Sequence, residues 1–162
     1  MRIYIVFFSS VVVLGACKSS LYRFTTTKSY SAKELTSTQK YILLDSSHFR
    51  NQVSIDVLSE ILNKNRLEKE YTTLNLTKAE YNFLTAVLLM RDEEFSKASI
   101  LLDEVDDTLF DCQSLVLKID CSYELGMNKN PTAKYQKAHD CSNNKLVKKI
   151  TRDRFRYFKH GY

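Results

Sequence analysis

The stretch from Thr77 to Val105 constrains the fold of this chain more than any other. It opens on Thr77-Lys78-Ala79-Glu80, a capping-box pattern in which hydroxyl and carboxylate each satisfy a backbone N–H that a helix start leaves unpaired. Ala79, Phe83, Ala86, Val87 and Met90 follow at helical spacing and make one apolar face. After a break at Arg91-Asp92, Phe95, Ala98, Leu102 and Val105 make another. Two helices of about four turns joined by so few residues must be antiparallel neighbours. With only three Gly and one Pro in 162 residues, the chain has little of the punctuation that separates many short strands. The expectation is an all-α body over residues 32–162, built of antiparallel helical hairpins as a short solenoid or bundle.

The hairpin at 78–106 resembles a tetratricopeptide repeat, a helix-turn-helix unit of about 34 residues. Ala86 and Ala98 stand at its small positions, Leu89 and Leu102 at large ones and Phe95 at an aromatic one. The small positions are where two helices cross closely. Asn82 and Thr85 depart from the pattern, where an aromatic and a Leu are usual. A degraded second copy spans 112–142: Gly126, Tyr135 and Ala138 correspond to Glu93, Leu102 and Val105, and Asn130-Pro131 offers a helix start with proline in its favoured place. Cys112, Leu115, Val116, Ile119 and Tyr123 carry its leading helix. In the family the first helix of each unit lines the groove, so the resemblance nominates Glu80, Phe83, Val87, Met90 and Arg91 as partner contacts. Their apolar members can equally pack against a preceding helix.

Elsewhere the periodicity predicts a helix over about 32–44, opened by Ser31-Ala32-Lys33-Glu34 and carrying Leu35, Gln39, Ile42 and Leu43 on one side. Another carries Phe49, Val53, Val57, Leu58, Ile61 and Leu62, whereas 64–76 has no readable period. A capping helix is expected at 145–159, where the segment to the C-terminus holds seven Lys or Arg against one Asp. Basic and aromatic residues together also suit nucleic acid or anionic lipid. Nucleic acid is set aside because of where the leader sends the chain. Residues 92–111 hold eight Asp or Glu against Lys97 alone, so acidic and basic faces have the means to pair within or between chains.

That leader is Arg2, then Ile3 to Leu14, apolar except for Ser9 and Ser10, then small residues. It falls short of the roughly 20 apolar residues that span a bilayer as a helix. Leu14-Gly15-Ala16-Cys17 resembles the lipobox of bacterial lipoproteins. The resemblance implies a signal peptide at 1–16, cleavage before Cys17 and a diacylglyceryl group on its thiol. An ordinary secreted protein with Cys17 paired elsewhere, or a buried intracellular helix, are the alternatives. Ten of the twenty residues from Ser19 to Thr38 are Ser or Thr, so 17–31 is expected to be a flexible tether. No Asp follows Cys17, which by resemblance to Gram-negative sorting places the protein on the outer membrane, facing the periplasm.

Cys112, Cys121 and Cys141 remain in a compartment that permits disulfides. A hairpin of 112–125 and 131–142 brings Cys112 within one turn of Cys141, which makes them the pair best placed for a disulfide, three buried thiols being the alternative. His139 and Cys141 lack further ligands for a metal, His48 and His160 stand alone, and no nucleophile motif or phosphate loop is present. Glu93, Glu94, Asp106 and Asp107 read as a solvated face. No catalytic residue, metal or cofactor is therefore expected beyond the lipid on Cys17. The expected function is a lipid-anchored envelope protein that binds one or more envelope proteins, such as a lipoprotein subunit of a secretion apparatus. A periplasmic enzyme or accessory acting on peptidoglycan and a toxin-neutralising lipoprotein are the rivals, and the oligomeric state stays open.

Overall fold

In a computed structural model that describes residues 22–26 and 40–160, the chain runs β1 (Tyr22–Thr26), β2 (Lys40–Leu44), a 3-10 turn (Ser46–His48) and seven helices. These are α1 (Ile55–Asn63), α2 (Leu67–Leu74), α3 (Lys78–Arg91), α4 (Phe95–Asp103), α5 (Leu109–Glu124), α6 (Thr132–Cys141) and α7 (Lys145–His160). The expected leader at 1–16 and Cys17 lie outside the described residues.

The capping box forms as its sequence dictates: Thr77 Oγ1 accepts from Glu80 N (3.2 Å) and Glu80 Oε2 from Thr77 N (2.7 Å). The helix it opens has apolar residues on nearly every side, and such a helix must be surrounded. Phe83, Leu84, Ala86, Val87, Leu88 and Met90 are all buried, with β1, α4 and α5 packed around α3.

The N-terminal segment differs from the all-α expectation. The helix predicted over 32–44 is absent from 40–44, which form β2, and 32–39 lie outside the described residues. Within the expected tether at 17–31, Tyr22–Thr26 form β1, paired in parallel with β2 from Tyr22↔Lys40 to Thr26↔Leu44. The reason is local. Tyr22 and Phe24 are buried and Arg23 between them is exposed, the period of a strand, in residue types that favour one. Tyr41 to Leu44 are a short apolar run whose period does not separate strand from helix. Both faces of β2 are used. Ile42 and Leu44 join the main core, while Leu43 packs with Val147 and Ile150 of α7.

The main core draws on β1, β2 and α1 to α5. A second cluster, Val116, Ile119, Tyr135 and Ala138, joins α5 to α6, with Phe155 and Phe158 of α7 against it. Between them Phe110, Asp111 and Cys112 form a left-handed turn (φ 51, 54 and 69) at the start of α5. Each such residue costs roughly 1–2 kcal/mol, and all three side chains are held. Phe110 packs against Phe83 and Phe49, with ring centroids 4.4 and 4.9 Å apart. The Asp111 carboxylate accepts from Ser142 Oγ (2.6 Å), Asn144 N (2.9 Å) and Asn143 N (3.2 Å). Cys112 is disulfide-bonded to Cys141, and Cys121 is a buried free thiol. Next to the turn, Gln113 accepts from Leu43 N (2.8 Å) and donates to Leu43 O (2.9 Å), so it grips β2 by its backbone. None of the described helices is long and apolar enough to cross a membrane.

Candidate functional site

Asp120 interrupts the apolar run of α5, and Arg154 stands on α7 four residues after Ile150 and seven after Val147, in line with its buried face. Two opposite charges at core positions have to meet, because either one alone is too costly to bury. Arg154 Nη1 lies 2.5 Å from Asp120 Oδ2, with side chains 10% and 1% exposed. The same Oδ2 accepts from the Tyr22 hydroxyl (2.9 Å), and Oδ1 accepts from the Tyr135 hydroxyl. One carboxylate thus ties together β1, α5, α6 and α7. Burial, reinforced by the Asp120 charge, pushes both tyrosine hydroxyls up, so they stay protonated and donate. Burial opposes the charge on Arg154, but Asp120 and the two tyrosine oxygens outweigh it and raise the guanidinium's pKa.

The ring of Tyr135 also lines a cleft of about 280 Å³ between α6 and α7, with Gln136 and His139 on one wall and Thr151, Arg152, Phe155 and Arg156 on the other. Arg152 and Arg156 are exposed one helical turn apart, and no carboxylate is among the lining residues. His139 Nδ1 lies 3.1 Å from Asp140 Oδ1 at the rim. The cleft therefore offers aromatic walls and guanidinium donors, chemistry suited to an anion with an apolar portion.

Of the five residues nominated as partner contacts, four are buried and Arg91 is part-buried. Phe83, Val87 and Met90 have no exposure and Glu80 has 3%. Glu80 completes the capping box and accepts from Arg50 N (2.9 Å), while part-buried Arg91 donates to Leu62 O (3.2 Å). For Glu80, Phe83, Val87 and Met90, the packing of β1, α4 and α5 on α3 closes the face that a groove would expose. Asn82, which departs from the repeat pattern, donates to Glu104 Oε2 (3.0 Å) and so ties α3 to the end of α4. Within the acidic stretch, Glu104 pairs with Lys78 (2.7 Å) and Asp107 with Lys118 (2.7 Å). Cys141 is engaged in its disulfide, and no group of three or more His, Cys, Asp or Glu could hold a metal among the described residues. His48 sits edge-on to Phe110, with centroids 5.5 Å apart, and its burial lowers its pKa.

Sequence reasoning missed the Asp120–Arg154 pair by counting Arg154 with the other cations of the C-terminal helix. The signal was present, since Arg154 shares the register of Val147 and Ile150 and Asp120 lies between Ile119 and Cys121. No protein-family model matches the chain, and no curated protein or solved structure matches it with significant similarity.

Proposed function

We propose that this is a lipid-anchored protein of the bacterial envelope, held through Cys17 on the periplasmic face of the outer membrane, with a tetratricopeptide-like body that scaffolds other envelope proteins. A lipoprotein subunit of a trans-envelope assembly fits this description. The observation that carries the repeat is a turn that recurs at the spacing of 33 between Glu93 and Gly126. At the end of α3, Glu93 N donates to Met90 O (3.3 Å) and Glu94 N to Leu89 O (2.9 Å), with Glu93 at φ 64. At the end of α5, Gly126 N donates to Tyr123 O (2.9 Å) and Met127 N to Ser122 O (2.9 Å), with Gly126 at φ 71. Leu102 and Val105 are buried after the first turn, as are Tyr135 and Ala138 after the second. The packing order also supports a repeat, because α3 touches α4 and α5 while α5 touches α6 and α7.

The protein's own N-terminal segment packs on α3, α5 and α7: β1 on α3, the 3-10 turn on α5 and β2 on α7. Gln113 reads that segment through backbone N–H and C=O, as a surface that binds extended chain does. Partners then meet the remaining outer surface. Tagged wild-type protein, captured from gently solubilised membranes, should recover a fixed set of envelope proteins, and recovery of the protein alone overturns the scaffold reading. Cells fed labelled palmitate should label the wild type and not Cys17→Ser; label on both overturns the anchor.

A further inference from the structure

We propose that the outer face of α7 lies on the anionic phospholipid headgroups of the membrane, with the α6–α7 cleft taking one headgroup phosphate between His139, Arg152 and Arg156. This rests on the lipid anchor at Cys17 and adds to it a second, electrostatic contact. Lys145, Lys149, Arg152, Arg156 and Lys159 follow one another at spacings of four and three, which puts all five on one side of the helix. The stripe they make is about 21 Å long. Lys145, Arg152, Arg156 and Lys159 are exposed, and the one acidic residue of α7, Asp153, stands beside the stripe rather than on it. Arg154, on the opposite side, is already committed to Asp120.

Proximity to the bilayer selects the occupant. Cys17 precedes Tyr22 by five residues, which extend at most about 18 Å, less than the roughly 24 Å length of α7. Tyr22 and Arg154 share Asp120 Oδ2, so the chain enters the body level with the middle of α7, against its inner side. A lipid on Cys17 would hold this helix within reach of the surface. A lipid chain plus a basic patch is also the combination that makes membrane attachment durable. In the cleft, the guanidinium groups of Arg152 and Arg156 match a phosphate, and the Phe155 and Tyr135 rings suit the apolar glycerol backbone behind it.

The test uses wild-type protein purified from membranes, with neutral phosphatidylcholine vesicles and with vesicles that also contain phosphatidylglycerol. Flotation reads attachment, and acetylation of Lys145, Lys149 and Lys159 by a water-soluble amine reagent, followed by mass spectrometry, reads the stripe. The expected result is flotation with both kinds of vesicle and acetylation slowed at least about five-fold on the anionic ones, the factor for one cation held at such a surface. High salt should remove that protection without releasing the protein. Equal acetylation on both compositions overturns the proposal and leaves the anchor standing. Flotation with anionic vesicles alone does the opposite, sinking the anchor while supporting α7. Equal protection on neutral vesicles by free inorganic phosphate, or by an oligonucleotide, overturns the assignment to lipid.

Discussion

The two ends of this molecule are held by different physics. The part built from β1, β2 and α1 to α4 rests on one continuous apolar cluster that includes Leu58, Leu62, Phe83, Leu84, Val87 and Met90. The part built from α6 and α7 contributes few buried apolar side chains, chiefly Tyr135, Ala138, Val147 and Ile150. Directional links hold it instead: the Asp120–Arg154 pair, the Asp111 clasp on Ser142 to Asn144, and the disulfide. Apolar packing is spread over many weak contacts, so no single one is decisive. A directional link fails whole. The C-terminal part should therefore be removable link by link, and the N-terminal part only by opening a cavity.

The largest effects should come from one residue in each part. Arg154→Ala leaves the Asp120 carboxylate buried without its cation, a loss of about 3–5 kcal/mol. Asp120→Leu with Arg154→Met should recover part of that, because no unpaired charge then remains. Phe83→Ala should cost a similar 3–5 kcal/mol or so through the cavity it leaves. Denaturant melts will not tell the two apart, but amide exchange will. Arg154→Ala should expose α6 and α7 first, Phe83→Ala should loosen α3 and α4, and uniform loss of protection in both would end the contrast. Next in size is the disulfide. Its sequence separation of 29 predicts a loss of about 3–4 kcal/mol for Cys112→Ala with Cys141→Ala, again with early exchange in α6 and α7.

The same contrast decides what could be read from the sequence. Helix α3, its capping box and its pairing with α4 were legible because an apolar period and a start signal coincide between Thr77 and Val105. The strands were not, because Tyr22-Arg23-Phe24 is too short to show its alternation among serines and threonines, and Ile42-Leu43-Leu44 has no period to show. The packing of β1, α4 and α5 on α3 is also why Phe83, Val87 and Met90 are core rather than groove. The C-terminal links lie between residues far apart in sequence. Asp120 and Tyr22 are 98 positions apart, and no local pattern announces that they share a hydrogen bond.

A smaller effect concerns the tyrosines on Asp120. Both hydroxyls are raised in the folded protein, so the stability they contribute is complete below the ordinary tyrosine value of about 10 and is lost as pH rises beyond it. Alkaline unfolding, followed by circular dichroism, should begin above about pH 10. Tyr22→Phe or Tyr135→Phe should each cost about 1.5–3 kcal/mol at neutral pH, as a hydrogen bond to a charged group does. Each variant should also flatten the fall above pH 10. An unchanged alkaline slope in both would mean that these hydroxyls do not hold the C-terminal part to Asp120.

The smallest effect tests the opposite half of the contrast. Thr77→Ala breaks one side of the capping box, a directional link, but at a helix whose apolar side chains are packed all round. The cost should be the ordinary one for a lost cap, about 1 kcal/mol. Local opening should be confined to the first turn of α3, because Leu84, Val87 and Leu88 stay locked whatever happens at the cap. A loss of several kcal/mol in a denaturant melt, or exchange spreading to the middle of α3, would mean that directional bonds govern this part too. The distinction between the two ends would then be one of degree, set by how many bonds each carries.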